Sequence, residues 1–427
     1  LCSAKPDPAW TPDQLFEEAD MTATIITATA KSADSAKQPM PRRLRLGMVG
    51  GGQGAFIGAV HRMAARLDDH YELVAGGLSS DPARAAVSAQ QVRIDPSRSY
   101  CDYRDMAREE AAREDGIDAV AIVTPNYLHA PVATAFLEAG IHVICDKPLA
   151  ISLAEGLALA ALARQKNRLL ALTHTYTGYP MVRHARALVE AGELGELRLV
   201  QVEYSQDWLA ASIGRAAPGA PANDNWHNDP GRAGPAGTLA DVGTHAYQLA
   251  HFISGQKPAQ LLAEVTSFVP GRPLDDHVQV MLRYANGARG TLWASQVATG
   301  CENALRLRLY GSKAQLAFNQ ENPNELWLTP QGGNAQRLTP GRVGSAEAAH
   351  ATRVPAGHPE GYIEAFAQLY VDAALCIHAL DAGLPLPDAA RWLTTVEDGV
   401  AGLAFIDAVL SSHRNGARWT DVASMPG

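Results

Sequence analysis

From Leu44 onward, short apolar runs alternate with helical stretches, and this alternation narrows the architectures open to the chain. LRLGMVG, YELVAGGL, AVAIVTP, HVICDKP and LLALTHT read as strands. Between them lie the amphipathic segments AVHRMAARL, DPARAAVSAQ, HAPVATAFLEAG and LAEGLALAALARQ. Strand–helix alternation of this kind predicts a doubly wound parallel sheet, whose ligands sit beyond the carboxyl ends of its strands. Those ends are where chemistry is to be sought.

After about residue 176 the pattern changes. LRLVQVEYS, AQLLAEVTSFV, HVQVMLRY, ARGTLWASQVA, ALRLRLYG, AQLAFN and ELWLTP follow one another without crossover helices, which predicts one large, open, mainly antiparallel sheet. YANGARG reads as a hairpin, with Asn-Gly supplying positive φ angles. The stretch from His358 to His413 returns to helix. The expected organisation is a tail over 1–40, an α/β dinucleotide-binding domain over 41–175, and an α+β domain over 176–427 for substrate binding and subunit contacts. The tail, rich in Thr, Ala and Ser, is expected to be disordered, with Met21 a candidate start. Arg42-Arg43 precedes a strand and a glycine turn rather than a hydrophobic signal core, so the tail is not read as an address.

A net charge of −9 leaves no electrostatic footprint for nucleic acid, and no uninterrupted apolar run approaches the roughly 20 residues that span a bilayer. The 5 cysteines are scattered, odd in number and without zinc spacing, which fits a reducing compartment and a cytoplasmic location.

Gly50-Gly51-Gly52-Gln53-Gly54-Ala55 follows the first strand and opens a helix, satisfying G-x-G-x-x-A through Gly50, Gly52 and Ala55. Small residues there permit a tight turn and close approach of a pyrophosphate, which the free N–H groups of the helix start would bind. Gln53, Gly54, Phe56 and Ile57 belong to the same cofactor-binding segment. The second strand ends in Ser79, Ser80 and Asp81, with Arg84 a turn further on. Ser79 and Arg84 suit the 2′-phosphate of NADP, while Asp81 suits either a ribose hydroxyl or a helix cap. NAD or NADP is therefore the expected cofactor, with a lean to NADP. Thr124, Pro125 and Asn126 end the third strand and His129 opens the next helix; they too face the cofactor, or else form a turn and cap.

A core-like strand, GIHVIC, stops at Asp146, Lys147 and Pro148. Proline cannot donate to a ladder and turns the chain off the sheet. Lys147 is then presented at the carboxyl edge, where an ammonium stabilises a developing alkoxide. Downstream, GTLADVGTHAYQLAHFISG reads as one helix with Asp241 and His245 four apart on one face. That spacing suits a histidine base held by a carboxylate, or an ordinary surface pair. His251 is out of register with His245, so no metal site is expected. Before this helix runs a long loop carrying Trp208, Trp226, His227 and Arg232, whose tryptophans suit the apolar face of a sugar or serve packing.

VGGGQGAF, TPNYLHAPVATAFLEAGIHVICDKPLA and AGTLADVGTHAYQLAHF together resemble the Gfo/Idh/MocA family of glucose–fructose oxidoreductase and inositol dehydrogenase. YSQDW, DDHVQVMLRYANGARGTLWAS and LRLYGSKAQLAFN also look like its levoglucosan-dehydrogenase branch, although THTYTGYP lacks that branch's arginine-containing pattern. The resemblance implies that Lys147 holds the lysine position of E-K-P, with Asp146 replacing glutamate, and that Asp241 and His245 form the D-x-x-x-H pair. It implies reversible oxidation of a secondary hydroxyl on a sugar, anhydrosugar or cyclitol: His245 as base, Asp241 orienting it, and Lys147 polarising the oxygen. Tyr176, Gln206, Asp207, Trp208 and Trp226 are the candidate sugar contacts beside these three. A homodimer or homotetramer is expected by analogy. Two other readings stand beside this one: transient oxidation by bound NAD during elimination, and a non-catalytic dinucleotide sensor.

Overall fold

The computed structural model describes residues 42–211, Trp226 and residues 229–423; the expected tail, with Met21, and His227 lie outside the described residues. Five strands, β1 (Leu44–Gly50), β2 (Tyr71–Gly77), β3 (Ala119–Val123), β4 (His142–Cys145) and β5 (Leu170–Leu172), form a parallel sheet in the order β2-β1-β3-β4-β5. Helices α1 (Phe56–Leu67), α2 (Pro82–Gln91), α3 (Tyr103–Ala111), α4 (His129–Glu138) and α5 (Leu153–Lys166) lie along the same stretch of chain. Every residue of β3 and β4 is buried, as a sheet covered on both faces requires. The strand order reverses beside β1, so a crevice opens beyond the ends of β1 and β3.

The second sheet has nine strands: β6 (Leu197–Ser205), β7 (Pro258–Thr266), β8 (His277–Tyr284), β9 (Arg289–Ser295), β10 (Ala304–Gly311), β11 (Ala314–Asn319), β12 (Leu326–Pro330), β13 (Gln336–Leu338) and β14 (Thr420–Asp421). Their order is β13-β12-β11-β10-β6-β9-β8-β7-β14. All pairs are antiparallel except β6 with β9. Along β8, Val278, Val280, Leu282 and Tyr284 are buried while Gln279 and Met281 are exposed, so one face packs and the other stays open. The β8–β9 hairpin forms as expected, but only Gly287 takes a positive φ (91°). Tyr284 N–H donates to Ala288 O, so the loop has three residues rather than two.

Helices α6 (Pro180–Glu190), α7 (Pro230–Ala233), α8 (Thr244–Ser254), α9 (Ala346–Ala351), α10 (Tyr362–Asp381) and α11 (Val396–Arg414) complete the fold. Not all serve the second sheet. Phe366, Tyr370, Ala373 and Ile377 of α10 share a core with Leu44, Leu46 and Met48 of β1. Tyr71 OH donates to Tyr370 O at 2.9 Å, and the Tyr370 hydroxyl lies 2.8 Å from His61 Nδ1 on α1. The far end of the chain thus returns to cover the first sheet. The length and apolarity of α10 match this burial.

Arg183 on α6 and Asp372 on α10 form a fully buried ion pair, with His350 Nε2 2.8 Å from Asp372 Oδ1. Arg183→Ala would leave that buried carboxylate without its guanidinium, with His350 and Gln368 still on Oδ1, and breaking such a pair costs about 3–5 kcal/mol. Chemical denaturation should show the loss; a midpoint within error of the parent would contradict it.

Candidate active site

The first strand ends in a turn with no space for a side chain at Gly50, Gly51 or Gly52. Gly50 has φ +80°, and a Cβ there would lie 2.5 Å from Val123 O. One on Gly52 would meet Leu78 O at 2.5 Å. Helix α1 then starts after Ala55 without a side-chain cap, leaving its first N–H groups free. Gly52, Gln53, Gly54, Ala55 and Phe56 line a cavity of about 300 Å³ together with Leu78 and Ser88. The Ile57 side chain packs toward the core, which leaves its backbone N–H, in the uncapped first turn, as its means of meeting a cofactor. Gly58, which the motif reading missed, brings α1 against the turn, since a Cβ there would fall 2.4 Å from Gly51 Cα. Its signal was a glycine inside the first turn of an amphipathic helix.

At the end of β2, Asp81 caps α2: its Oδ1 accepts from Arg84 N–H at 2.8 Å. Ser79 Oγ accepts from Asp81 N–H at 3.1 Å. Ser80 and the Arg84 side chain are exposed. At the end of β3, Thr124 Oγ1 is buried with no hydrogen-bond partner. Asn126 Nδ2 donates to Ala233 O. His129 is not presented to a cofactor: Nδ1 is 2.6 Å from Pro148 O and Nε2 2.9 Å from Thr124 O. Its ring ties the ends of β3 and β4 together, and burial leaves no face open. The glycine-built turn, uncapped helix start and orphaned Thr124 hydroxyl fit a dinucleotide.

Beyond β4, Asp146 Oδ1 accepts from Lys147 N–H and from Thr173 Oγ1, each at 2.9 Å. This anchors the turn from which the Lys147 side chain projects. Its Nζ donates to Asp241 Oδ1 at 2.6 Å and to Asp241 O at 2.8 Å. Burial opposes the charge, yet the carboxylates of Asp241 and Asp146 outweigh it and raise the lysine above its ordinary pKa. The ammonium persists at neutral pH.

The predicted single helix over 237–255 opens instead with a π-helical turn, Leu239–Gly243, before α8. Such turns recur at functional sites. Here the wider turn upsets the i, i+4 pairing expected of Asp241 and His245. Asp241 Oδ1 takes Lys147, and Oδ2 accepts from Gln296 Nε2 at 2.7 Å. His245 Nδ1 is buried without a partner, so Asp241 does not clamp that nitrogen, which corrects its expected orienting role. Burial, then the positive charge of Lys147 and neighbouring His174, push the His245 pKa well below the ordinary value, against the pull of Asp241. The imidazole is neutral at pH 7.

Aromatic rings hold His245 in place: Tyr176 at 4.8 Å and His174 at 5.4 Å between centroids. His174, beyond β5, has a pKa lowered to about 4 by burial. Tyr176 OH lies 2.5 Å from Tyr204 OH. Trp208 and Trp226 line a second cavity together with Asn126, Asp241 and Gln296. Gln206 joins Trp208, Gln296 and Asn303 through its amide. Asp207 Oδ2 accepts from Gly300 N–H at 3.0 Å. Tyr204, Gln296 and Asn303 escape the sequence reading because they come together only through the second sheet, and His174 because it meets His245 only where the end of the first sheet packs on α8.

Residues 44–174 match an oxidoreductase family with an NAD-binding Rossmann fold, and residues 182–317 match the GFO/IDH/MocA C-terminal domain. An oxidoreductase structure from Sinorhizobium meliloti is 47% identical with a TM-score of 0.80, covering 89% of this chain and 100% of its own. An inositol dehydrogenase homolog from Azotobacter vinelandii, solved with NADH and myo-inositol, is 36% identical with a TM-score of 0.81, covering 89% and 98%. Levoglucosan dehydrogenase of Pseudarthrobacter phenanthrenivorans is 29% identical over 326 residues, 69% of this chain and 78% of its own.

Proposed function

Because the chain belongs to the Gfo/Idh/MocA oxidoreductase family, we propose that it reversibly oxidises a secondary hydroxyl of a cyclitol, sugar or anhydrosugar by hydride transfer to NAD(P). One observation carries this reading: a charged Lys147 from the first sheet meets the Asp241 helix that also bears a neutral His245. When bound, the nicotinamide takes the hydride from the carbinol carbon. His245 accepts the hydroxyl proton as general base, a role that needs the uncharged ring. Lys147 donates an N–H to the same oxygen and stabilises the charge that develops there. Asp241 holds the ammonium and keeps it protonated. Tyr176 and the tryptophan-lined wall contact the rest of the substrate, a polyol of the class to which the myo-inositol and levoglucosan of two relatives belong. Incubation with a panel of cyclitols, sugars and anhydrosugars should yield reduced nicotinamide and ketone in equal amounts. Product without net reduced nicotinamide would indicate transient oxidation, and no turnover of any polyol would sink the reading.

At the adenosine end, Asp81, the group that would repel a 2′-phosphate, is engaged as the α2 cap, and Arg84 is exposed one turn beyond. We propose NAD or NADP as the cofactor with a lean to NADP, which the exposed Arg84 supports. Arg84→Ala is expected to lower kcat/KM for NADP about tenfold, the scale of one charge-assisted contact, and to leave NAD nearly unchanged. Equal losses with both cofactors would remove Arg84 from the discrimination.

A further inference from the structure

We propose that Gln296 is a positioning residue: its amide, held in one orientation from two sides, fixes the Asp241 carboxylate on Lys147 and makes Tyr176 a hydrogen-bond acceptor toward substrate. The inference rests on the dehydrogenase reading above.

Gln296 is almost completely buried, and its amide nitrogen donates twice, to Asp241 Oδ2 at 2.7 Å and to Gln206 Oε1 at 3.0 Å. Its Oε1 accepts from Thr238 Oγ1 at 2.8 Å. Amide orientation is ordinarily a matter of choice between two flips, but neither end of this network permits the other flip. An ionised carboxylate only accepts, so Asp241 demands the NH2 group. An indole N–H only donates, and Trp208 Nε1 donates to Gln206 Oε1 at 3.0 Å. Gln206 Oε1 is therefore an acceptor, and Gln296 must again present NH2 to it.

The same logic runs onward. Gln206 Nε2 donates to Asn303 Oδ1 at 2.7 Å, so that oxygen is an acceptor and Tyr204 OH donates to it, also at 2.7 Å. With its own proton on Asn303, Tyr204 must accept from Tyr176 across their 2.5 Å contact. Asn303 Nδ2 points at Gln320 Oε1 (2.9 Å) and, at 3.5 Å, at Tyr176. Tyr176, beside His245, is left with acceptor capacity only. It suits a substrate hydroxyl, which can donate, and disfavours an ether or carbonyl oxygen at that point.

Gln296→Glu keeps the shape and removes the donor. The new carboxyl would face Asp241, with Lys147 behind it and Asp275 and Arg272 lining the same cavity; Asp276, whose carbonyl accepts from the residue 296 N–H, is paired with Arg272. At neutral pH kcat should fall roughly ten- to a hundredfold, the scale of a hydrogen bond to a charged group. Acidification should restore activity, because a protonated Glu donates again, while the parent shows no such rise and Gln296→Met no such rescue. Loss without acid recovery, in a variant that still binds the dinucleotide, would overturn the inference, as would parent-like kcat at every pH. Should Gln296→Glu fail to fold, Trp208→Phe decides, since that ring is partly exposed: a fall of about two- to tenfold in kcat/KM for the polyol alone supports the lock, and no change refutes it. A parent inactive on every polyol would instead sink the function itself.

Discussion

Lys147→Ala is expected to lower kcat about a thousandfold while NAD(P) binding changes little, because removing one preorganised donor from a developing oxyanion costs on the order of 10²–10³ and a second penalty follows here. With the ammonium gone, the Asp241 carboxylate loses Lys147 at both Oδ1 and O, so its charge is no longer offset by that cation beside the reacting oxygen. Negative charge would then develop beside negative charge. Lys147→Arg should not restore turnover, since a planar fork cannot reproduce the 2.6 and 2.8 Å contacts of a compact ammonium to Asp241 Oδ1 and O. The dinucleotide cradle is built by glycines of the β1–α1 turn and is untouched by either change. Steady-state kinetics with an NADH fluorescence titration separate the two effects. Near-parental turnover in Lys147→Ala would take the ammonium out of the mechanism.

The parts of this site visible in the linear chain are those set by local rules. The turn from Gly50 to Ala55 follows a strand and opens a helix, and Gly50, Gly51 and Gly52 each answer a close approach of the helix or an adjacent strand, while Gly54 answers a positive φ. Lys147 was legible for a similar reason, since Pro148 ends the strand and leaves the lysine at its edge. Asp241 and His245 were found, but their relation was misread, because four-residue spacing implies stacking only on a regular α-helix. The π turn at Leu239–Gly243 carries no mark in residue type. Gln296, Asn303 and Tyr204 sit on or just beyond strands whose apolar alternation says nothing of which polar neighbours they meet. The return of α10 to the first sheet was hidden in the same way: its apolar faces predict burial, not the partner.

His245→Asn should lower kcat by about 10²–10⁴, the usual span for loss of a general base, and change the shape of the pH profile as well as its height. The base must be uncharged to act, and its folded pKa lies well below the ordinary histidine value of about 6.5. Activity of the parent therefore survives mild acidification and falls only as the pH drops through that depressed value. On the alkaline side Lys147 must stay charged, and its raised pKa moves that limit above the ordinary lysine value of about 10.4. A broad plateau between these limits follows. Acid unfolding has to be separated from acid inactivation, because His61 and His174 are also buried neutral, with pKa values lowered to about 4. For such groups the unfolded chain binds more protons, so stability is present above the unfolded value and is lost as the pH falls through the folded one. Jump assays, in which the enzyme is held at acid pH and tested after return to neutrality, recover full activity if the loss is titration of His245 alone. In the asparagine variant the acid limb should vanish, leaving residual turnover that rises with hydroxide. If that variant keeps the parent's acid limb, the titrating group is not His245, and the base must be sought elsewhere in the cleft.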